Sequence, residues 1–173
     1  LSAFSQILKK ETIIKNSLTS KEVSLLIKQN FTFCWYQFYK FLFPYTFRWQ
    51  GYMKDLEKIL IINTVVLNST SKHIKRLKGV ESYLEKWRKD VQKTNVVGIN
   101  AMSISDITGI PRPTVVRKLK FLVKNKYLSI DKKKLYYIKI GEKKFKEVAK
   151  IQDENILALS DFITRTFNQI SLN

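Results

Sequence analysis

The sequence predicts a mainly α-helical chain carrying one small β-hairpin, an α+β arrangement. Three observations predict it. Apolar residues recur at helical spacing over most of the 173 residues. A glycine and two prolines, Gly109, Pro111 and Pro113, punctuate two short helical stretches between 101 and 125. Directly afterwards, runs rich in Tyr, Ile and Leu flank a polar, basic turn over 127–140.

Bulk composition narrows the classes. Apolar residues make up 45% and charged residues 27%, ordinary for a chain that buries a core. The formal net charge is +18, from 32 basic and 14 acidic residues. Such a surplus implies a polyanionic partner, either nucleic acid or an anionic surface. Lys outnumbers Arg 26 to 6, a bias that A/T-rich coding also produces, so the placement of charge matters more than its sum. Cys34 is the single cysteine, which excludes an internal disulfide and fits a reducing, cytoplasmic setting. No secretory signal pattern is read.

The elements follow in order. Residues 4–16 and 20–30 each read as a short amphipathic helix. Ser20 is the expected cap of the second, with Val23, Leu26 and Ile27 on one face. Residues 31–52 hold twelve of the 22 aromatics. Gln37, Lys40, Pro44, Arg48 and Gln50 interrupt the stretch, so a membrane span is rejected. Aromatics on every side predict a buried helix, broken near Pro44 and shared between two subunits. Trp35, Tyr36, Phe38, Tyr39 and Phe41 are its candidate dimer-contacting residues, or the lining for a small apolar ligand. Residues 53–68 predict a helix with Leu56, Ile59, Leu60, Val66 and Leu67 inward. In residues 80–93, Val80, Tyr83, Leu84, Trp87 and Val91 form a helical stripe.

The segment from 99 to 140 carries the most information. Asn100 is a good N-cap, and Ile99 with Ile104 fits a hydrophobic staple. The helix should run from Ala101 to Thr108, with Ile104 and Ile107 inward, and end at Gly109. Ser105 is small where a second helix must cross. Proline disfavours helix in its predecessor and is preferred at the first helical position, so Arg112 is the expected cap and Pro113 the expected start. From there Val115, Leu119 and Leu122 point to the core, while Thr114, Arg117, Lys118, Lys120 and Lys124 lie opposite. Two helices joined by a tight turn, the second with a basic outer face, predict a helix-turn-helix. The strands 127–130 and 135–140 around 131–134 would add a wing.

This run, ISDITGIPRPTVVRKLKFLVKNKYL, resembles the winged helix-turn-helix of bacterial transcription regulators, most closely the MarR type. Ile104, Ser105, Gly109, Thr114, Val115, Arg117, Leu119 and Leu122 occupy the positions of that pattern. The likeness covers about residues 96–141. It departs at Lys126, where such sequences usually carry Gly. That departure requires another turn, for which a left-handed Asn125 is the expectation. The wing also lacks the arginine often found at its tip. The resemblance implies terminal helices paired between subunits. The division read from sequence is a helical region at 1–95, a winged helix-turn-helix at 96–141 and a C-terminal dimerisation helix at 142–173. In that last part Phe145, Val148, Ile156, Leu159, Phe162, Ile163, Phe167 and Ile170 are inward candidates.

Charge supports the assignment. Between Arg112 and Lys146 stand 13 basic and two acidic residues, which concentrates the surplus in this segment. The expected function is that of a dimeric, sequence-specific regulator of transcription, with helix 113–125 in the major groove of duplex DNA and wing 131–135 on the backbone. Arg112, Pro113, Thr114, Val116 and Arg117 are the candidates for base edges. Ser103, Lys118, Lys120, Lys124, Lys132, Lys133 and Lys134 are the candidates for phosphates. Two alternatives stand beside it: an architectural or replication-associated DNA binder, and a winged protein-interaction module. No metal-ligating cluster, phosphate loop or catalytic constellation is read. His73 lies among surface lysines, and no enzyme, cofactor or membrane partner is expected.

Overall fold

The computed structural model describes residues 19–70 and 97–171. The stripe predicted at 80–93, the helix at 4–16, and His73 lie outside them. Among the described residues are six helices and one two-stranded antiparallel sheet: α1 (Ser20–Gln29), α2 (Phe31–Met53), α3 (Leu56–Thr70), α4 (Ala101–Thr108), α5 (Arg112–Lys124), β1 (Leu128–Ile130), β2 (Tyr136–Ile138) and α6 (Glu142–Ser171). The mainly α fold with a small hairpin is therefore the one observed.

The described residues form two compact units: 19–45 with 155–171, and 46–70 with 97–154. The boundaries fall inside α2 and α6 rather than near 95 and 141. The reason is that α3 packs on α4, α5 and β2, so it belongs with the segment 97–141.

In the second unit a continuous aliphatic core joins Ile61 and Val65 of α3 to Ile99, Ile104, Ile110, Val115, Leu119, Leu122, Leu128 and Ile138. Ile61, Val65, Ile104, Val115, Leu119 and Leu122 are wholly buried. Each such side chain contributes about 1.5–3 kcal/mol relative to exposure. The face predicted for α3 is mostly wrong. Ile59 is buried and Val66 half-buried, but Leu56, Leu60 and Leu67 are exposed, Leu67 by 68%. The run LEKILIINTVVL is apolar on all sides, so spacing alone does not choose between its faces. Ile107 also departs from expectation, at 66% exposure.

Strands β1 and β2 pair Leu128 with Ile138, Ser129 with Tyr137 and Ile130 with Tyr136. Ile99 adds a third strand position. It donates to Tyr136 O (3.1 Å) and accepts from Tyr136 N (2.9 Å). Gly98 allows this approach, because a Cβ there would lie 2.4 Å from the Tyr137 ring and 2.6 Å from Leu135 Cβ.

In the first unit, α1 is capped by Thr19 rather than Ser20. Thr19 and Glu22 form a reciprocal capping box, a pairing that Ser20 at the first helical position does not complete. Helix α2 is unbroken at Pro44, contrary to expectation. Phe38 and Phe41 pack on Phe162 of α6, with ring centroids 6.2 and 5.8 Å away. The tail is one long helix, α6.

Candidate nucleic-acid interface

The interface candidate is built on α4, α5 and the hairpin, and each is held by local chemistry. Asn100 Oδ1 accepts from Ser103 N (2.9 Å), as an N-cap should. Gly109, at φ 70°, closes α4 in the left-handed region, with its N–H on Ser105 O. Ser105 Oγ then donates to Ile110 O (2.7 Å), which fastens the turn between the helices. Small size at Ser105 is thus joined by a specific hydrogen bond.

Helix α5 starts one residue earlier than expected. Pro111 is its cap, Arg112 the first helical residue and Pro113 the second. Proline there still sacrifices no intrahelical bond, because the first-turn N–H groups have no partner within the helix. Arg112, Pro113, Arg117, Lys120 and Lys124 are exposed, while Thr114 and Val116 are half-buried. Positions 113, 117, 120 and 124 recur at helical spacing, so they share the outer face. The five base-edge candidates therefore cluster at the start of α5. Ser103 is half-buried, one turn into α4.

Lys118 departs from the phosphate-contacting set. It is 7% exposed and is bonded to Asp55 and to Glu57 Oε2 (2.8 Å). Its place in sequence explains this. It lies three residues after Val115 and four before Leu122, on the core face of the helix. Burial works against its charge, but the hydrogen bonds and charges of Asp55 and Glu57 outweigh burial and hold its pKa above the ordinary lysine value.

The helix end solves the turn in which Gly is missing. Lys126, at φ 59°, takes the left-handed conformation itself, while Asn125 stays at φ −89°. Lys126 N bonds Val123 O (3.0 Å) and Tyr127 N bonds Leu122 O (2.9 Å), a Schellman closure. The expectation of a left-handed Asn125 is corrected.

The hairpin turn is tied by Asp131. Its Oδ1 accepts from Leu135 N and its Oδ2 from Tyr137 OH, both at 2.8 Å. The Leu135 N–H leads in holding the Asp131 carboxyl below its usual range. Lys132, Lys133 and Lys134 are left exposed at the tip, as expected. The sequence reading missed Asp131, although an Asp opening a short basic turn is a known turn-former.

Of the five candidates in the aromatic segment, Trp35, Tyr36 and Tyr39 are exposed, and Phe38 and Phe41 are half-buried. The expected helix, buried on all sides, is not what this chain forms. Instead Phe31, Trp35, Tyr39 and Phe43 make a surface ladder with successive ring centroids 5.4, 5.9 and 5.4 Å apart. Cys34 is buried, and burial pushes its thiol pKa up, away from the reactive thiolate. Among the described residues no cluster of metal ligands occurs, and no helix is long and apolar enough to cross a membrane.

Comparison with protein families, with curated proteins and with solved structures returned no match to this chain.

Proposed function

We propose that the chain is a winged helix-turn-helix protein of MarR-like type that binds duplex DNA as a homodimer and regulates transcription. In this reading α5 enters the major groove, and the hairpin tip lies on the backbone. The observation that carries it is the outer face of α5. Pro113, Arg117, Lys120 and Lys124 are exposed together on a helix whose opposite face is wholly buried. Arg112 and Arg117 have the fork geometry that reads guanine edges. Lys120, Lys124 and Lys132–Lys134 suit phosphates, which position the protein without specifying sequence. The exposed ladder of α2 supports self-association, since a row of uncovered rings is an unusual surface for a lone chain.

Band-shift titration of the full chain against a duplex selected from a randomised pool tests the function. A regulator prefers that duplex to random sequence by roughly 10³-fold or more. A second reading, an architectural DNA binder, draws on the predominance of lysine over arginine on the exposed surface of α5 and the hairpin. It predicts near-equal affinity for both duplexes.

A further inference from the structure

We propose that Lys118 is a positioning residue. Buried itself, it forms a charge clamp with the part-exposed carboxylates of Asp55 and Glu57 that fixes how α5 is rotated against α3, and so where Arg117 and Lys120 point. The inference rests on the reading of α5 as the DNA-contacting helix.

The geometry is interlocked from both sides. Lys54, at φ 56°, turns the chain sharply between α2 and α3 and delivers Asp55 to the corner. A left-handed non-glycine residue costs about 1–2 kcal/mol, so the surroundings must hold it. Asp55 then serves two helices at once. Its Oδ1 accepts from Lys58 N (3.2 Å), which caps α3, and its Oδ2 receives Lys118 of α5. Glu57, in the first turn of α3, supplies the second carboxylate. Lys58 completes the lock. Its ammonium lies 3.9 Å from the centre of the Phe121 ring and 3.6 Å from Asp55 Oδ2. Helix α5 thus offers Lys118 and Phe121, one turn apart, to the cap residue Asp55 and to Glu57 and Lys58 in the first turn of α3.

Such a pair is a poor way to add stability. Removing charges from water offsets most of their attraction, and an apolar side chain of similar size often serves stability as well. Its use lies in geometry. The remaining α3–α5 contact is aliphatic, through Ile61, Val65, Val115, Leu119 and Leu122. Aliphatic surfaces tolerate small rotations and slips at low cost. An ammonium held between Asp55 and Glu57 adds charge-assisted hydrogen bonds with a directional preference that the aliphatic contact lacks. A rotation of α5 that broke them would strand a buried charge.

The test uses the full chain and the variants Lys118→Met, Lys118→Arg and Asp55→Asn. Backbone residual dipolar couplings report the angle between α3 and α5. We expect Lys118→Met and Asp55→Asn to stay folded with that angle changed, and Lys118→Arg to keep it. With a duplex selected from a randomised pool, Lys118→Met should lose about 10-fold in preference over a scrambled duplex. The slope of log affinity against log salt should stay at the wild-type value, because no phosphate contact has gone. Lys118→Arg should restore the preference. An unchanged angle in both charge-removing variants overturns the proposal, as does unchanged preference despite a changed angle. A salt slope reduced by about one in Lys118→Met would make Lys118 a phosphate ligand instead. If the wild type selects no duplex, the DNA reading fails, while the dipolar couplings still decide the clamp.

Discussion

At the scale of single residues, Asp55 and Lys118 set opposite limits on pH. Burial pulls the Asp55 carboxyl upward, but the contacts with Lys118 and Lys58 override it, and its pKa lies below the usual value. A lowered folded pKa gives stability that is present above the unfolded value and lost as pH falls through the folded one. Lys118 is raised, so its contribution is full below its unfolded value and lost as pH rises through the folded one. Stability should therefore be level around neutrality and fall both in acid below the ordinary aspartate range and in strong alkali. Chemical unfolding across pH checks this, and Asp55→Asn should flatten the acid limb. Lys126 makes a separate prediction. Its left-handed backbone is strained for a side chain, so Lys126→Gly should raise unfolding stability by roughly 0.5–1 kcal/mol, read from denaturant midpoints. The role of Lys118 was legible in principle, since its spacing from Val115 and Leu122 places it inward. A lysine between Arg117 and Lys120 nonetheless reads as part of a solvated face, and its partners lie some sixty residues away. No local pattern could pair it with Asp55.

Among the elements, α4, α5 and the hairpin were the most legible because their signals are local. Asn100, Gly109 and the prolines set the ends of α4 and α5 to within a residue, through capping and fixed φ angles. The Tyr-rich strands and the polar, basic turn between them set the hairpin. Helix α3 was least legible, because its choice of buried face depends on what packs against it. The strand position at Ile99 was missed for the same reason. It exists only through pairing with Tyr136, and no isolated residue has a strand pattern. The hairpin is sensitive at Gly98. Gly98→Ala would drive a methyl into the Tyr137 ring and should cost about 1–3 kcal/mol, measured by thermal unfolding. Asp131→Ala should free the tip, and faster amide exchange at Leu135 and Lys134 is the expected readout.

At the scale of the whole molecule, charge and apolar surface are separated along the chain. Cations dominate from Arg112 to Lys146, whereas Lys40 is the lone charged residue between Phe31 and Phe47. Two copies could therefore meet along the rings of α2 with little electrostatic opposition. Replacing Trp35 and Tyr39 together with Ser should shift the protein from dimer to monomer in sedimentation equilibrium without unfolding it, since both side chains are already exposed. A wild type that is monomeric at tens of micromolar would remove the dimer from the proposal.

The central claim is that the outer face of α5 holds duplex DNA. Its most direct test is equilibrium binding across a salt series, for the wild type and for the joint replacement of Arg117 and Lys120 by Ala. Steep salt dependence is expected in the wild type, with the double variant weaker at every salt and its slope reduced by about one, for the phosphate contact of Lys120. Equal affinity and equal slope in the two proteins would contradict it.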